Sequence, residues 1–364
     1  LARNRVFVKT SFLIAALMTL TPLTAELPTA FFLGADLSMI EPMEKQGVRY
    51  KDAKGKEREV LSLFMENGWT WFRIRLFVNP GTNGGAIQDL PFALRYAARV
   101  KGVGGKLLLD LHYSDTWADP AHQTTPAAWQ SLSDAELEKK VEEYTRSVLE
   151  AFRAQGTEPD MVQVGNEITP GMLWPLGRNN SPEGWERLTR YLKAGIRGLE
   201  ARPGGKRPAV MIHIDRGGKA EAVKWFFDHL ESAGVPWEVM GLSFYPWWHG
   251  TLSNLEETLL LAATRYRRPI VVVETAYPWG EPGRFSKESE KKNLEFPITP
   301  EGQASFMKAL IALVKKTPEG LGRGVLDWEA AYVRTQWYGG VNAFFDRDFK
   351  ALPVLTESGK FALE

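Results

Sequence analysis

The chain has 364 residues, with 45 Lys and Arg against 44 Asp and Glu; a net charge of +1 and a pI near 8.0 supply no electrostatic footprint for nucleic acid or an anionic membrane. Apolar residues make up 44% and charged residues 24%, the balance of a globular domain rather than a disordered chain. Cysteine is absent, which removes disulfides, thiol nucleophiles and thiolate metal sites, while 13 Trp stand beside 19 Phe and 10 Tyr.

In chain order, Arg3, Arg5 and Lys9 precede an apolar run, Phe12–Leu20, and then Thr21-Pro22-Leu23-Thr24-Ala25. A basic start, a short hydrophobic stretch and a small residue before a polar one predict a secretory signal peptide over 1–25, cleaved after Ala25. The run is shorter than the roughly 20 apolar residues of a membrane span. Cleavage leaves 42 basic against 44 acidic residues in a mature chain 26–364, secreted or periplasmic, with no stable membrane association. Short apolar runs then alternate with amphipathic patterns. Strands are expected at Phe31–Asp36, Trp71–Leu76, Lys106–Leu111, Met161–Gly165, Ala209–Ile214, Val239–Ser243, Ile270–Val273 and Gly324–Asp327. Helical patterns lie between them at Glu57–Asn67, Asp89–Lys101, Ser133–Gln155, Pro182–Ala201, Lys219–Ser232, Asn254–Tyr266 and Pro300–Lys316. Ser133 followed by Glu136 predicts a capping box. Continuous apolar strands such as Val271-Val272-Val273 fit a parallel sheet covered on both faces, and eight of them separated by helices predict one (β/α)8 TIM barrel, an α/β fold. The charged, Gly- and Pro-containing stretch Pro278–Thr299 reads as a long loop after the seventh strand. No glycine-rich turn follows the first strand, which disfavours a doubly wound nucleotide-binding sheet.

Each apolar run stops in polar or aromatic residues: Asp36, Arg73 and Arg75, Asp110 and His112, Asn166 and Glu167, His213 and Asp215, Ser243 and Tyr245, Glu274, Trp328 and Glu329. Barrel enzymes carry their chemistry at the C-terminal strand ends, and buried charge is costly unless paired, so eight such ends together read as a site. Glu167 and Glu274 follow the fourth and seventh strands and suit the two-carboxyl chemistry of glycosidic cleavage. Five His with no HExxH motif give no metal-ligand set. Trp117, Trp174, Trp247, Trp248, Trp279, Trp328 and Trp337 fall in segments that follow strands, where flat indoles can stack on sugar faces; about half are expected to touch ligand.

These segments resemble glycoside hydrolase family 53, the arabinogalactan endo-β-1,4-galactanases. The resemblance runs from Phe31 to Leu355 through Gly34-Ala35-Asp36-Leu37-Ser38, Arg73-Ile74-Arg75-Leu76-Phe77-Val78-Asn79-Pro80, Asp110-Leu111-His112-Tyr113-Ser114-Asp115-Thr116-Trp117-Ala118-Asp119-Pro120, Gly165-Asn166-Glu167, Phe244-Tyr245-Pro246-Trp247-Trp248-His249-Gly250 and Val273-Glu274-Thr275-Ala276-Tyr277-Pro278. It implies a retaining enzyme on β-1,4-galactan, with Glu167 as acid/base and Glu274 as nucleophile. It further implies that Asn166 orients substrate, that Arg75 and Tyr245 hold the nucleophile, and that Asp36, His112, Trp117, His213, Asp215, Trp247 and Trp328 serve substrate binding. Two departures stand out: Asp327 and Ala330 where the family usually has an aromatic and a proline, and Arg216 where it often has Asn. No cofactor is expected. Calcium, which some bacterial members bind near strands seven and eight, has no matching oxygen cluster in Glu281–Glu295. Another retaining β-1,4-glycanase, a mannanase or glucanase, and a non-catalytic glycan-binding barrel are the alternatives.

Overall fold

Eight parallel strands close on themselves in sequence order, β1 pairing both β2 and β8. They are β1 (Phe32–Asp36), β2 (Trp69–Leu76), β3 (Lys106–Leu111), β4 (Met161–Val164), β5 (Ala209–Ile214), β6 (Val239–Phe244), β7 (Ile270–Thr275) and β8 (Gly322–Trp328). The computed structural model describes residues 27–82, 84–200, 207–281 and 291–364. The expected signal peptide and residues 282–290 of the loop after β7 therefore lie outside the described residues.

The strands are apolar on both faces because both are covered. In β7, Val271 and Val273 point into the barrel while Ile270 and Val272 pack under the helices. Inside, Phe32, Trp71, Leu108, Met161, Met211, Val239 and Leu326 fill the lower half, with Phe32 stacked on Trp71 at 4.5 Å. Gly34 is required beside this stack, since a Cβ there would lie 2.6 Å from the Trp71 carbonyl oxygen. Above the apolar plug the inward positions turn polar: Asp36, Arg73, Asp110, Gln163, His213, Ser243 and Glu274 are all buried. The barrel is thus a packed apolar base carrying a charged upper layer.

The helices begin where local chemistry starts them. Asp89, Ser133, Ser181 and Thr299 each accept a hydrogen bond from a first-turn amide, and the Ser133–Glu136 capping box forms as expected. The helix expected from Glu57 begins at Val60, because Glu59 caps it. Strands β7 and β8 run further than their apolar cores, through Thr275 and Trp328, since the backbone ladder continues past the switch to polar side chains. Three α-helices among the described residues escaped the periodicity reading: Ile40–Lys45, Pro353–Leu363 and the single turn Pro246–His249, which contains Trp247 and Trp248. No helix among the described residues is long and apolar enough to cross a membrane.

Candidate active site

A cleft of about 630 Å³ opens over the C-terminal ends of the strands. Its lining includes Glu167, Glu274, Arg75, His112, Trp117, Asn166, Tyr245 and Trp328, eight of the twelve residues that the sequence singled out. The other four support it from behind. Asp36 and His213 are fully buried in the polar layer, Asp215 is buried and accepts from the Thr169 hydroxyl at 2.5 Å, and Trp247 packs at 4% exposure against Tyr245 and Tyr338. Its neighbour Trp248, 50% exposed, faces the cleft instead. Of the seven post-strand tryptophans, Trp117, Trp248, Trp328 and Trp337 reach the lining.

Arg73 organises the floor. Its Nη1 donates to Glu274 Oε1 at 2.7 Å and to Asp36 at 3.3 Å; its Nη2 donates to Asp110 at 2.9 Å, to Asn166 Oδ1 at 2.8 Å and to Gln163 at 3.1 Å. The expectation that Arg75 holds Glu274 is corrected here. Arg75 Nη1 binds Glu329 at 2.5 Å and Asp36 at 3.3 Å, and Arg73, two residues earlier on the same inward face, takes the role. Both arginines were visible at the end of β2, but alternation places them on one face without saying which reaches across to β7. The second oxygen of Glu274 accepts from the Tyr245 hydroxyl at 3.0 Å, as the resemblance implied.

Glu167 is built differently. It lies two residues after Gly165 (φ +85°) and itself adopts a left-handed φ of +46°, a conformation uncommon for a non-glycine residue and held here by its surroundings. Ser243 Oγ donates to its Oε1 at 2.6 Å, and His213 Nε2 faces that same Oγ at 2.8 Å. Burial, with the Arg73 charge nearby, keeps His213 well below the usual imidazole range, so the ring is neutral. Ser243 was legible as a strand-end residue, but its partner could not be read from spacing. Asn166 is locked by Arg73 and by its own amide, which donates to Ala118 O at 2.8 Å. His112 lies against Asp110 at 3.0 Å and accepts from the Ala118 amide at 3.1 Å.

One carboxylate oxygen from each of Glu167 and Glu274 lies within 4.8 Å of the other. Burial pushes the Glu167 carboxyl well above the ordinary carboxylate range, and the charge of Glu274 adds to that. Burial also raises Glu274, but only Glu274 has a guanidinium in direct contact to oppose it. Of the two, Glu274 therefore keeps the charge and Glu167 the proton. Asp110 is lowered despite its burial, because Arg73 and His112 stabilise its charge.

The sequence offered no metal-ligand set, yet Glu167, His213 and Glu274 bring one ligand atom each within 4.8 Å of one another. Both His213 nitrogens already face partners, Ser243 on one side and Gln163 and Asn166 on the other, so a cation would have to break that relay. The stretch Glu281–Glu295 considered for calcium lies largely outside the described residues. At the departures from the family pattern, Arg216 pairs with Asp215 at 3.1 Å, and Asp327 turns away from the cleft with neither carboxyl oxygen hydrogen-bonded among the described residues.

A closed parallel barrel that sets two unlike carboxyl groups this close, at the floor of an aromatic cleft, defines a barrel glycoside hydrolase. Comparison places it more narrowly. The profile of glycosyl hydrolase family 53 matches residues 32–357, and the chain belongs to that family. It is 41% identical over 323 residues to an uncharacterized protein of Niallia circulans, covering 85% of this chain and 87% of that one. It is 33% identical to the arabinogalactan endo-beta-1,4-galactanase of Humicola insolens, covering 89% of this chain and 98% of that one. The family 53 catalytic domain of Ignisphaera aggregans superposes with a TM-score of 0.85 at 33% identity, over 94% of this chain and 99% of that one.

Proposed function

We propose that the protein is a retaining endo-β-1,4-galactanase that cleaves internal bonds of galactan or arabinogalactan outside the cytoplasm. The observation that carries the reaction type is that one carboxyl oxygen of Glu167 and one of Glu274 lie within 4.8 Å of each other, closer than two carboxyls set apart for a bridging water. Retaining enzymes hold their two carboxyls about 5–5.5 Å apart, whereas inversion needs roughly 6.5–9.5 Å to admit a water. In this reading Glu274, ionised beside Arg73, attacks the anomeric carbon while Glu167 gives its proton to the departing glycosidic oxygen. Water, deprotonated by Glu167, then displaces Glu274 from the sugar carbon. Two inversions return the β anomer. Tyr245 and Arg73 orient the nucleophile, and Asn166 stands where it can bond a sugar hydroxyl beside the scissile bond.

The polymer reading is supported by the four tryptophans along the open cleft, which offer stacking faces for several sugars in a row. The choice of β-1,4-galactan rests on the named relatives. Galactose carries its 4-hydroxyl axial, so this chain bends where a β-1,4-glucan runs straight, and a groove fitted to the bend rejects flat chains. Incubation with galactan, cellulose derivatives and mannan, following early product sizes, tests it. A spread of galacto-oligosaccharides with a rapid fall in viscosity, the first product being the β anomer by NMR, is the expected result. Activity confined to mannan or glucan, no activity on any glycan, or an α anomer formed first, would overturn the corresponding part.

A further inference from the structure

We infer that Arg75 is a positioning residue for the aromatic wall of the cleft, and that Glu329 and the Gly85 carbonyl hold it there. The Arg75 guanidinium carbon lies 4.6 Å from the centre of the Trp117 ring and 5.9 Å from that of Trp328. Those two indoles are 6.1 Å apart, and Trp328 meets Trp337 edge to face at 4.5 Å, so one guanidinium touches two members of a three-tryptophan wall. Its two terminal nitrogens are committed elsewhere, Nη1 to Glu329 at 2.5 Å and Asp36 at 3.3 Å, and Nη2 to the Gly85 carbonyl at 3.2 Å. The planar fork is what allows hydrogen bonding in its plane and stacking on its face at once, which an ammonium cannot reproduce.

The surroundings are built around this contact. Glu329 takes a left-handed φ of +57° immediately after Trp328, and that turn returns its carboxylate to Arg75. Gly85 leaves no room for a side chain, because a Cβ would stand 2.7 Å from the Trp117 ring. The Arg75 guanidinium touches neither Glu167 nor Glu274 among the described contacts, whereas Arg73 touches Glu274 directly. The two adjacent inward arginines of β2 thus divide their work: Arg73 serves the nucleophile, and Arg75 sets the spacing of the stacking surface. This inference rests on the reading that glycan stacks along that wall.

The test is a double-mutant cycle on galactan hydrolysis with Arg75→Lys and Trp117→Ala. Each single variant is expected to raise KM about tenfold with a much smaller change in kcat. The double variant should lose no more than about threefold beyond Trp117→Ala, because the nearer indole through which the lysine change acts is already gone and only the longer contact with Trp328 remains. The pH profile of Arg75→Lys should match that of the parent, since Glu167 and Glu274 keep their partners. Multiplicative losses, or a shifted pH profile, would overturn the assignment. Should Arg75→Lys fail to fold, Glu329→Gln in the same cycle carries the test, because it keeps the hydrogen bond and removes the charge that clamps the guanidinium. Near-ultraviolet circular dichroism reads the wall without substrate. An altered tryptophan signal in a folded variant supports positioning even if the parent proves inactive on galactan, which would sink the proposed substrate alone; an unchanged signal counts against the wall contact itself.

Discussion

Glu167 and Glu274 are the same residue type with opposite assignments, and the difference lies in what touches them. A guanidinium and a phenol hold Glu274, whereas a serine hydroxyl backed by a neutral imidazole holds Glu167. Replacing Glu274 with Gln should abolish turnover of every substrate, since no glycosyl-enzyme can form. Replacing Glu167 with Gln should cost about 10²–10⁴ in kcat/KM on galactan but far less on an activated aryl glycoside, whose leaving group needs little protonation. Kinetics of both variants on both substrates check this, and equal losses on the aryl glycoside would refute the division. The pH profile follows from the same contacts. The proposed mechanism requires Glu167 protonated and Glu274 ionised, so activity should be lost at high pH as Glu167, raised by burial and by Glu274, gives up its proton. The Ser243 bond favours the charged form of Glu167 and lowers its pKa. Ser243→Ala should therefore move the alkaline limb of kcat/KM to higher pH, and a limb that moves down instead would contradict the protonation scheme.

At the scale of the element, β8 holds the clearest energetic flaw. Asp327 is fully buried on its outward face, neither oxygen is hydrogen-bonded among the described residues, and burial together with Glu329 raises its pKa well above the usual carboxylate range. A buried acid whose folded pKa exceeds its unfolded one stabilises least when ionisation is favoured: stability is greatest below the unfolded pKa of about 3.9 and declines as pH rises toward the folded value. Asp327→Asn removes the titration and Asp327→Phe also restores the aromatic usual in the family. Either should raise stability at neutral pH by about 1–3 kcal/mol, with a gain that shrinks toward pH 4. Urea unfolding at the two pH values measures it, and a variant less stable than the parent at neutral pH would show that Asp327 has a partner not accounted for. Strand β2 shows the opposite design, with two buried arginines each surrounded by carboxylates that compensate them.

For the whole molecule, one barrel supplies both the apolar base and the cleft, and residues from β1 to β8 all contribute to the charged layer or the rim. The proposed substrate is a polymer too large to enter a cell, so that function needs export, and the signal peptide expected over 1–25 would supply the route. Protein recovered from the periplasm or medium should begin at or near Glu26 by N-terminal sequencing. An intact N-terminus on cytoplasmic protein would overturn the secretory reading.

The eight-strand order, the capping box at Ser133 and the two glutamates were legible in the sequence because each depends on local pattern: continuous apolar runs, a four-residue motif, and a carboxylate at a strand end. Arg73, Ser243, Glu329 and Trp248 were named without an individual role, Arg75 was paired with Glu274 where Arg73 stands, and Trp247, expected at a subsite, packs behind Trp248 at 4% exposure. Alternation along a strand says which face a side chain occupies, but barrel tilt and strand stagger decide which side chain of that face meets one on another strand. Bulges break the register between β1 and β2, β6 and β7, and β7 and β8, so single-residue partnerships across the mouth cannot be counted from sequence. Chain chemistry alone therefore determined which residue types gather at the strand ends. Only the closed barrel decided that Arg73 takes Glu274 and leaves Arg75 beside the tryptophans, because contacts between residues some 200 positions apart exist only once the ring is shut.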